Sequence, residues 1–245
     1  MQEFATKGFD GASTRSIARR VDAHQPQINY HFASKEALWE AAVDHLFGLL
    51  GEAVDPIPPD HELLDPEVLA AEFAKRIRRF VTFAAEHPEL NRILVHEATA
   101  DTERLQWLVD RHVRPLYRSI ASIWDRLREA GIAAPIASES VHYVLVGAAS
   151  LPFVNAPEAR LLTGSEPTDQ AWVDQHADGI IATLLPGLAL VSDVPRPSTT
   201  VGRGGGIGDR RSFWRIRASR PWAARRSPCG RRSRTRCRRR RRRGR

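Results

Sequence analysis

Cysteine is nearly missing from this chain. Its two cysteines, Cys229 and Cys237, both lie close to the C-terminal end, so residues 1–228 hold no disulfide and no thiolate metal site. That fits a reducing cytoplasm. Long apolar runs are missing too. Val141–Val154 and Ile180–Val191 are each under 15 residues and contain Pro152 or Pro186, so neither spans a bilayer as a helix. No basic-then-apolar leader opens the chain, and no membrane partner is expected. Sustained alternation of β-branched residues is lacking, which argues against a sheet. Enzyme signatures are equally scarce. There is no Gly-x-Ser-x-Gly, no P-loop and no dinucleotide fingerprint. His96-Glu97 opens a metalloprotease-like pattern, but Ala100 stands where the second histidine belongs. The nine histidines are scattered singly. Neither a catalytic role nor a cofactor nor a metal is expected.

Acid is missing from one region only. Residues 196–245 hold 20 arginines and a single acid, Asp209, a net of +19. Residues 1–195 hold 17 basic and 28 acidic residues, a net of −11. The overall +8 and the pI of 10.4 therefore describe a tail. The body is uneven as well: residues 1–35 carry a net +2 and residues 36–195 a net −13. A polyanion is repelled by the second stretch and accepted only by the first. The tail has no periodicity and ends in Arg238–Arg243, so it predicts disorder. Two readings of it stand: a nucleic-acid-binding tail, or a wrong-frame read of a GC-rich gene.

What is present is helix, throughout the body. Thr14 is a candidate N-cap for a helix to Val21, and Gln25–Phe32 forms a second, with Pro26 in its first turn. Ser34 caps a third that runs to about Leu50. Prolines 56, 58 and 59 mark a linker. Asp65-Pro66-Glu67 opens a helix with Leu69, Phe73, Ile77, Phe80, Val81 and Ala84 on one face. His87-Pro88-Glu89 starts a short helix to about Thr99. One long helix spans Thr102–Ala130, with an apolar stripe through Leu105, Leu108, Val109, Leu116, Ile120, Ile123 and Leu127, and Gly131 ends it. Helices over Ala137–Leu151 and Thr168–Leu185 follow. The expected fold class is all-α. The expected domains are a DNA-binding unit over 1–48, a linker over 49–65, a helical ligand-binding and dimerisation unit over 66–191 and a disordered tail over 192–245.

The informative stretch is Thr14–Leu38. Two short helices are joined by a tight turn, Asp22–His24, with Ile17, Ala18, Val21, Ile28 and Phe32 spaced to form a small shared core. A helix held that way fits the major groove. Phe4, Gly8 and Phe9, then Thr14, Ile17 and Ala18, then Ile28-Asn29-Tyr30-His31-Phe32 followed by Ser34-Lys35-Glu36-Ala37-Leu38, together resemble the helix-turn-helix of the TetR family of transcriptional regulators. Most members carry Gly at the position of Asp22 and Ser or Thr at that of His24. Members also have several more helical turns ahead of Gln2, so the first helix is expected to be incomplete and Met1 a misassigned start.

On the recognition helix, Gln25, Gln27 and Asn29 have the donor and acceptor groups that read adenine edges; the plainer reading is a solvated polar face. The resemblance implies backbone contacts from Tyr30 and His31, against a half-buried aromatic for Tyr30. Thr14, Arg15 and Lys35 sit at helix N-termini that face phosphate. Arg19 and Arg20 serve either phosphate or plain surface charge. The resemblance also implies double-stranded DNA as partner, a homodimer, repression, and an unknown small-molecule effector. Lining residues for the effector are expected among Phe73, Ile77, Phe80, Leu94, Leu108, His112, Tyr117, Trp124 and Tyr143, each of which also suits an ordinary core. Candidate dimer surfaces are Val141, Val144, Leu145, Ala148 and Ala149 with Trp172, Ile180, Ile181, Leu184 and Leu185, with Gly147 allowing close approach; an intramolecular core suits them equally.

Overall fold

A computed structural model of the chain describes residues 1–55 and 63–188. The helical expectation holds for them, and no strand occurs among the described residues. The Arg-rich tail and the proline cluster at 56–59 lie outside them. The elements are α1 (Gln2–Gly11), α2 (Thr14–Arg20), α3 (Gln25–His31), α4 (Lys35–Ala53), α5 (Pro66–Glu86), α6 (Pro88–Glu97), α7 (Glu103–Leu108), a π turn (Val109–Val113), α8 (Arg114–Glu129), α9 (Ser138–Val154), α10 (Ala156–Thr163) and α11 (Gln170–Leu184).

Caps decide where most of these begin. Ser13, not Thr14, caps α2: its Oγ accepts from the Ser16 N–H at 3.1 Å, and the Ser16 hydroxyl answers the Ser13 N–H at 3.3 Å. Ser34 Oγ accepts from Ala37 N–H at 3.0 Å and Asp65 Oδ1 from Glu67 N–H at 2.9 Å. α4 runs three residues beyond the expected Leu50, because Leu46 and Leu50 fall four apart on its buried face and carry the helix on. α10 was not expected at all; Pro157 sits in its first turn and Gly164, at φ +69°, stops it.

The expected single helix over Thr102–Ala130 is interrupted at Val109–Val113 by wider turns. Pro115 has no N–H to give the Arg111 carbonyl, and the Arg114 N–H reaches back five residues to Val109 O. The stripe is therefore not one face. Leu116 is 42 % exposed, whereas Ile123, Trp124 and Leu127 are buried.

Two apolar clusters result. The larger joins α5, α8, α9 and α11 through residues such as Phe73, Ile77, Trp124, Leu145, Phe153 and Ile181. The smaller joins α1, α4, α6 and α7 through Phe4, Trp39, Leu46, Ile93 and Leu108, with Phe83 of α5. The head formed by α1–α3 is held to the second cluster by α1 packed along α6. At Gly8 the backbone takes φ +68°, which kinks α1, and a Cβ there would stand 3.4 Å from His96 Nδ1.

Candidate nucleic-acid interface and ligand cavity

The turn between α2 and α3 is a left-handed one. Asp22 takes φ +52°, and Ala23 N–H bonds back to Ala18 O at 3.0 Å, closing a Schellman motif. Ala18 and Ile28 are buried between the two helices, and Ile17 and Phe32 are half-buried, as the spacing predicts. Val21 is not part of that core. It is 63 % exposed, because the turn begins at it and swings it outward.

α3 thus stands braced from behind and open in front. Gln25, Gln27, Asn29, Tyr30 and His31 are all exposed. Tyr30, 86 % exposed, is no half-buried core aromatic; its ring meets His31 edge-on. Gln27 Oε1 accepts from the His24 N–H at 3.0 Å, which supplies the cap that the His24 side chain does not. Gln25 Nε2 reaches Thr14 Oγ1 at 3.4 Å, so the N-termini of α2 and α3 lie side by side. Arg15, Asn29 and Tyr30 have no hydrogen-bond partner among the described residues.

Two basic residues are otherwise occupied. Arg20 pairs with Glu3 at 3.1 Å, tying α2 to α1. Lys7, Ser16 and Arg20 around the Glu3 carboxylate pull its pKa down to about 2. Lys35, expected at phosphate, gives its ammonium to Phe9 O at 2.9 Å and Ala12 O at 3.2 Å and lies 4.3 Å from the Phe9 ring centre. Arg104 of α7 also stacks on that ring, 3.7 Å from its centre, while pairing with buried Glu97. Sequence position put Lys35 at a helix N-terminus, but its long stem carries the charge back to the end of α1.

Between the two apolar clusters lies a cavity of about 520 Å³. Phe73, Ile77, Phe80, Leu94 and His112, all candidates from the sequence, border it. Four other expected residues do not. Leu108 and Trp124 are spent on packing, the Trp124 N–H donating to Ile136 O at 2.8 Å. Tyr143 is 76 % exposed on the outer side of α9, and Tyr117 lies edge-on against His142 instead. Polar residues not foreseen line the space: Asn91, Ser119, His142 and Ser150. The only sequence signal for the last two was their place within the apolar run Val141–Val154.

One wall of the cavity touches the helix that follows the recognition helix. Asp44 of α4 accepts from Arg111 Nε at 2.7 Å and Nη2 at 3.1 Å, and His112 Nε2 lies 2.8 Å from the same carboxylate. His112 also stacks on Phe47 with ring centres 4.3 Å apart. The Arg111 guanidinium holds the Asp44 carboxyl below its ordinary range. Burial pulls the His112 imidazole pKa down, though Asp44 opposes it; burial alone lowers that of His142.

The candidate dimer residues divide. Val141, Leu145, Ala149, Ile180, Ile181, Leu184 and Leu185 are buried within the chain's own core. Every fourth position of α9 faces α5 and α8, which explains the split. Val144, Ala148 and Trp172 lie along an outer groove with His176, Gly179 and Thr183, whose floor Ile180 and Leu184 also reach. Gly147 and Gly179 have open space where a Cβ would stand. No helix of the described residues is long and apolar enough to cross a membrane.

Known proteins with the same arrangement place it. RutR, an HTH-type transcriptional regulator of Escherichia coli (strain K12), is 20% identical over 188 residues, spanning 77% of this chain and 86% of that protein. A Clostridium perfringens chain described as a fatty acid metabolism regulator superposes with a TM-score of 0.58 at 17% identity, covering 77% of this chain and 95% of the other. AibR, solved with isovaleryl coenzyme A and operator DNA, superposes with a TM-score of 0.55 at 17% identity, covering 76% and 93%. The family description for bacterial regulatory proteins of the tetR family matches residues 1–42, and that for the tetracyclin repressor-like C-terminal domain matches residues 70–184. With the braced, outward-facing α3 at one end and a helical cavity domain at the other, the chain belongs to the TetR family of DNA-binding transcriptional regulators.

Proposed function

We propose that this regulator is a repressor that binds a near-palindromic operator as a homodimer and lets go when a small molecule fills its cavity. Two α3 helices then enter successive major grooves, about one helical turn apart. The observation that carries the reading is α3 itself: a polar, exposed face on a helix fixed by Ala18, Ile28 and the Asp22 turn. Gln25, Gln27 and Asn29 read bases; Thr14, Arg15, Tyr30 and His31 contact the backbone. The outer groove along α9 and α11 supports a two-fold contact, since Gly179 admits a second backbone closely. The bond of His112 to Asp44 supports the coupling, because a molecule beside His112 bears on α4. The cytoplasm is the compartment that this reading assigns to the protein.

Selection from random duplexes tests this. An inverted repeat is the expected product, and Gln27→Ala relaxes the preference at one position of each half-site at a cost of about 1–3 kcal/mol. Recovery of no preferred sequence overturns the operator reading; an unchanged profile in Gln27→Ala removes Gln27 as a reader.

A further inference from the structure

The cavity's charged and uncharged polar groups are in different states, and the difference says what it holds. Every cationic group along it is already engaged within the protein. Arg111 and His112 sit on Asp44, Arg76 lies 3.6 Å from Glu72, and His87 Nδ1 lies 3.4 Å from Glu89. The one lining carboxylate, Asp55, is paired with Arg79. An ionised ligand entering here finds no unspent counter-charge.

The neutral polar groups are the reverse. Ser150 is 2 % exposed, yet its hydroxyl has no partner among the described residues. His142 Nδ1 is buried and also without one. Asn91 on α6 and Ser119 on α8 make no hydrogen bond among the described residues. Buried hydroxyls and imidazole nitrogens are normally satisfied, so Ser150 and His142 call for a partner that brings its own, with the half-buried Asn91 and Ser119 facing the same space. The remaining wall is aliphatic and aromatic, as in Phe73, Ile77, Phe80 and Leu145. The space of about 520 Å³ suits a drug-sized molecule.

Resting on the cavity being the effector site, we infer that its ligand is an uncharged, largely apolar molecule bearing a hydroxyl or carbonyl oxygen, which meets α9 at Ser150 and His142. The burial that lowers the His142 pKa keeps its ring neutral, so it offers a hydrogen bond and no charge to a carboxylate.

Calorimetric titration of the full chain with three probes of one length, 1-decanol, decanoate and decylammonium, tests this below their self-association concentrations. Decanol is expected to bind at least tenfold more tightly than either ion, because a charge taken from water without a partner is costly. Ser150→Ala, which removes the hydroxyl and adds no bulk to the cavity wall, is expected to weaken decanol about three- to tenfold, the worth of one hydrogen bond. Val146→Trp, which fills the space, is expected to abolish binding of every probe; Ala84→Leu is a milder filler should that variant fail to fold. A gap under tenfold between decanol and either ion, or an unchanged affinity in Ser150→Ala, overturns the ligand class while leaving the cavity reading in place. No binding by any probe, or decanol binding untouched by both fillers, overturns the cavity as the effector site as well.

Discussion

Replacing Lys35 by methionine separates two roles for that residue. The change removes the ammonium and keeps an apolar stem against Phe9. What is lost are two charge-assisted hydrogen bonds, to Phe9 O and Ala12 O, and a cation held 4.3 Å from the Phe9 ring centre. Hydrogen bonds to charged groups contribute about 1.5–3 kcal/mol where buried. Lys35 is only half-buried and water can replace part of the loss, so about 1–2 kcal/mol is expected overall. For a protein of this size each kcal/mol moves the melting midpoint by about 2–4 °C, so Lys35→Met should melt about 2–8 °C lower. The second readout is the salt dependence of binding to duplex DNA. A phosphate contact contributes about 0.9 to the slope of log K against log salt. A lysine spent on carbonyls contributes far less, and the slope should stay within a few tenths of the unmodified protein's. A midpoint that does not move, with a slope that falls by nearly one, would refute the latch and return Lys35 to the DNA backbone.

Two further outcomes follow from single positions. Asp22→Gly should stabilise the protein by about 0.5–1 kcal/mol, since Asp22 holds φ +52° and glycine takes that region without a Cβ penalty, whereas Asp22→Val should destabilise it; a chemical-denaturation midpoint that falls for both would mean the side chain contributes more than the turn costs. His142 and His112 have folded pKa values below their ordinary one, so the unfolded chain binds protons more readily and stability should decline as pH falls below about 6.5 toward the folded values. His142→Phe should flatten that decline in urea titrations at pH 7.5 and 5.5, and an equally steep fall would remove His142 as a contributor.

The head was legible in the sequence because its determinants are local. A turn, two caps and five apolar positions lie within one short stretch; Val21 departed, at the residue where the helix gives way to the turn, and the cap of α2 fell one residue early, at Ser13 instead of Thr14. The cavity was less legible, for a reason of rotation. Phe73, Ile77 and Phe80 share a helix face with residues that pack solidly, and periodicity marks the face without saying where it parts from its neighbour. Trp124 and Tyr143 illustrate both errors, one fully enclosed by packing and the other turned to solvent. Lys35 was illegible for another reason: helix position fixes a Cα, whereas a four-carbon stem chooses among several acceptors.

The wider turns at Val109–Val113 have a further consequence. An added residue rotates everything after it by roughly 100° about the axis. Ahead of them Leu108 belongs to the interior shared with Trp39 and Ile93; beyond them Ile123 and Leu127 belong to the one shared with Phe73 and Ile181. A single rod is thereby re-phased to serve two interiors that no uniform helix face would reach. The stretch where its allegiance changes, from Arg111 through Leu116 to Ile120, borders the space that neither interior fills. The cavity thus lies along the seam where the rod changes phase, with Pro115 among the residues that line it.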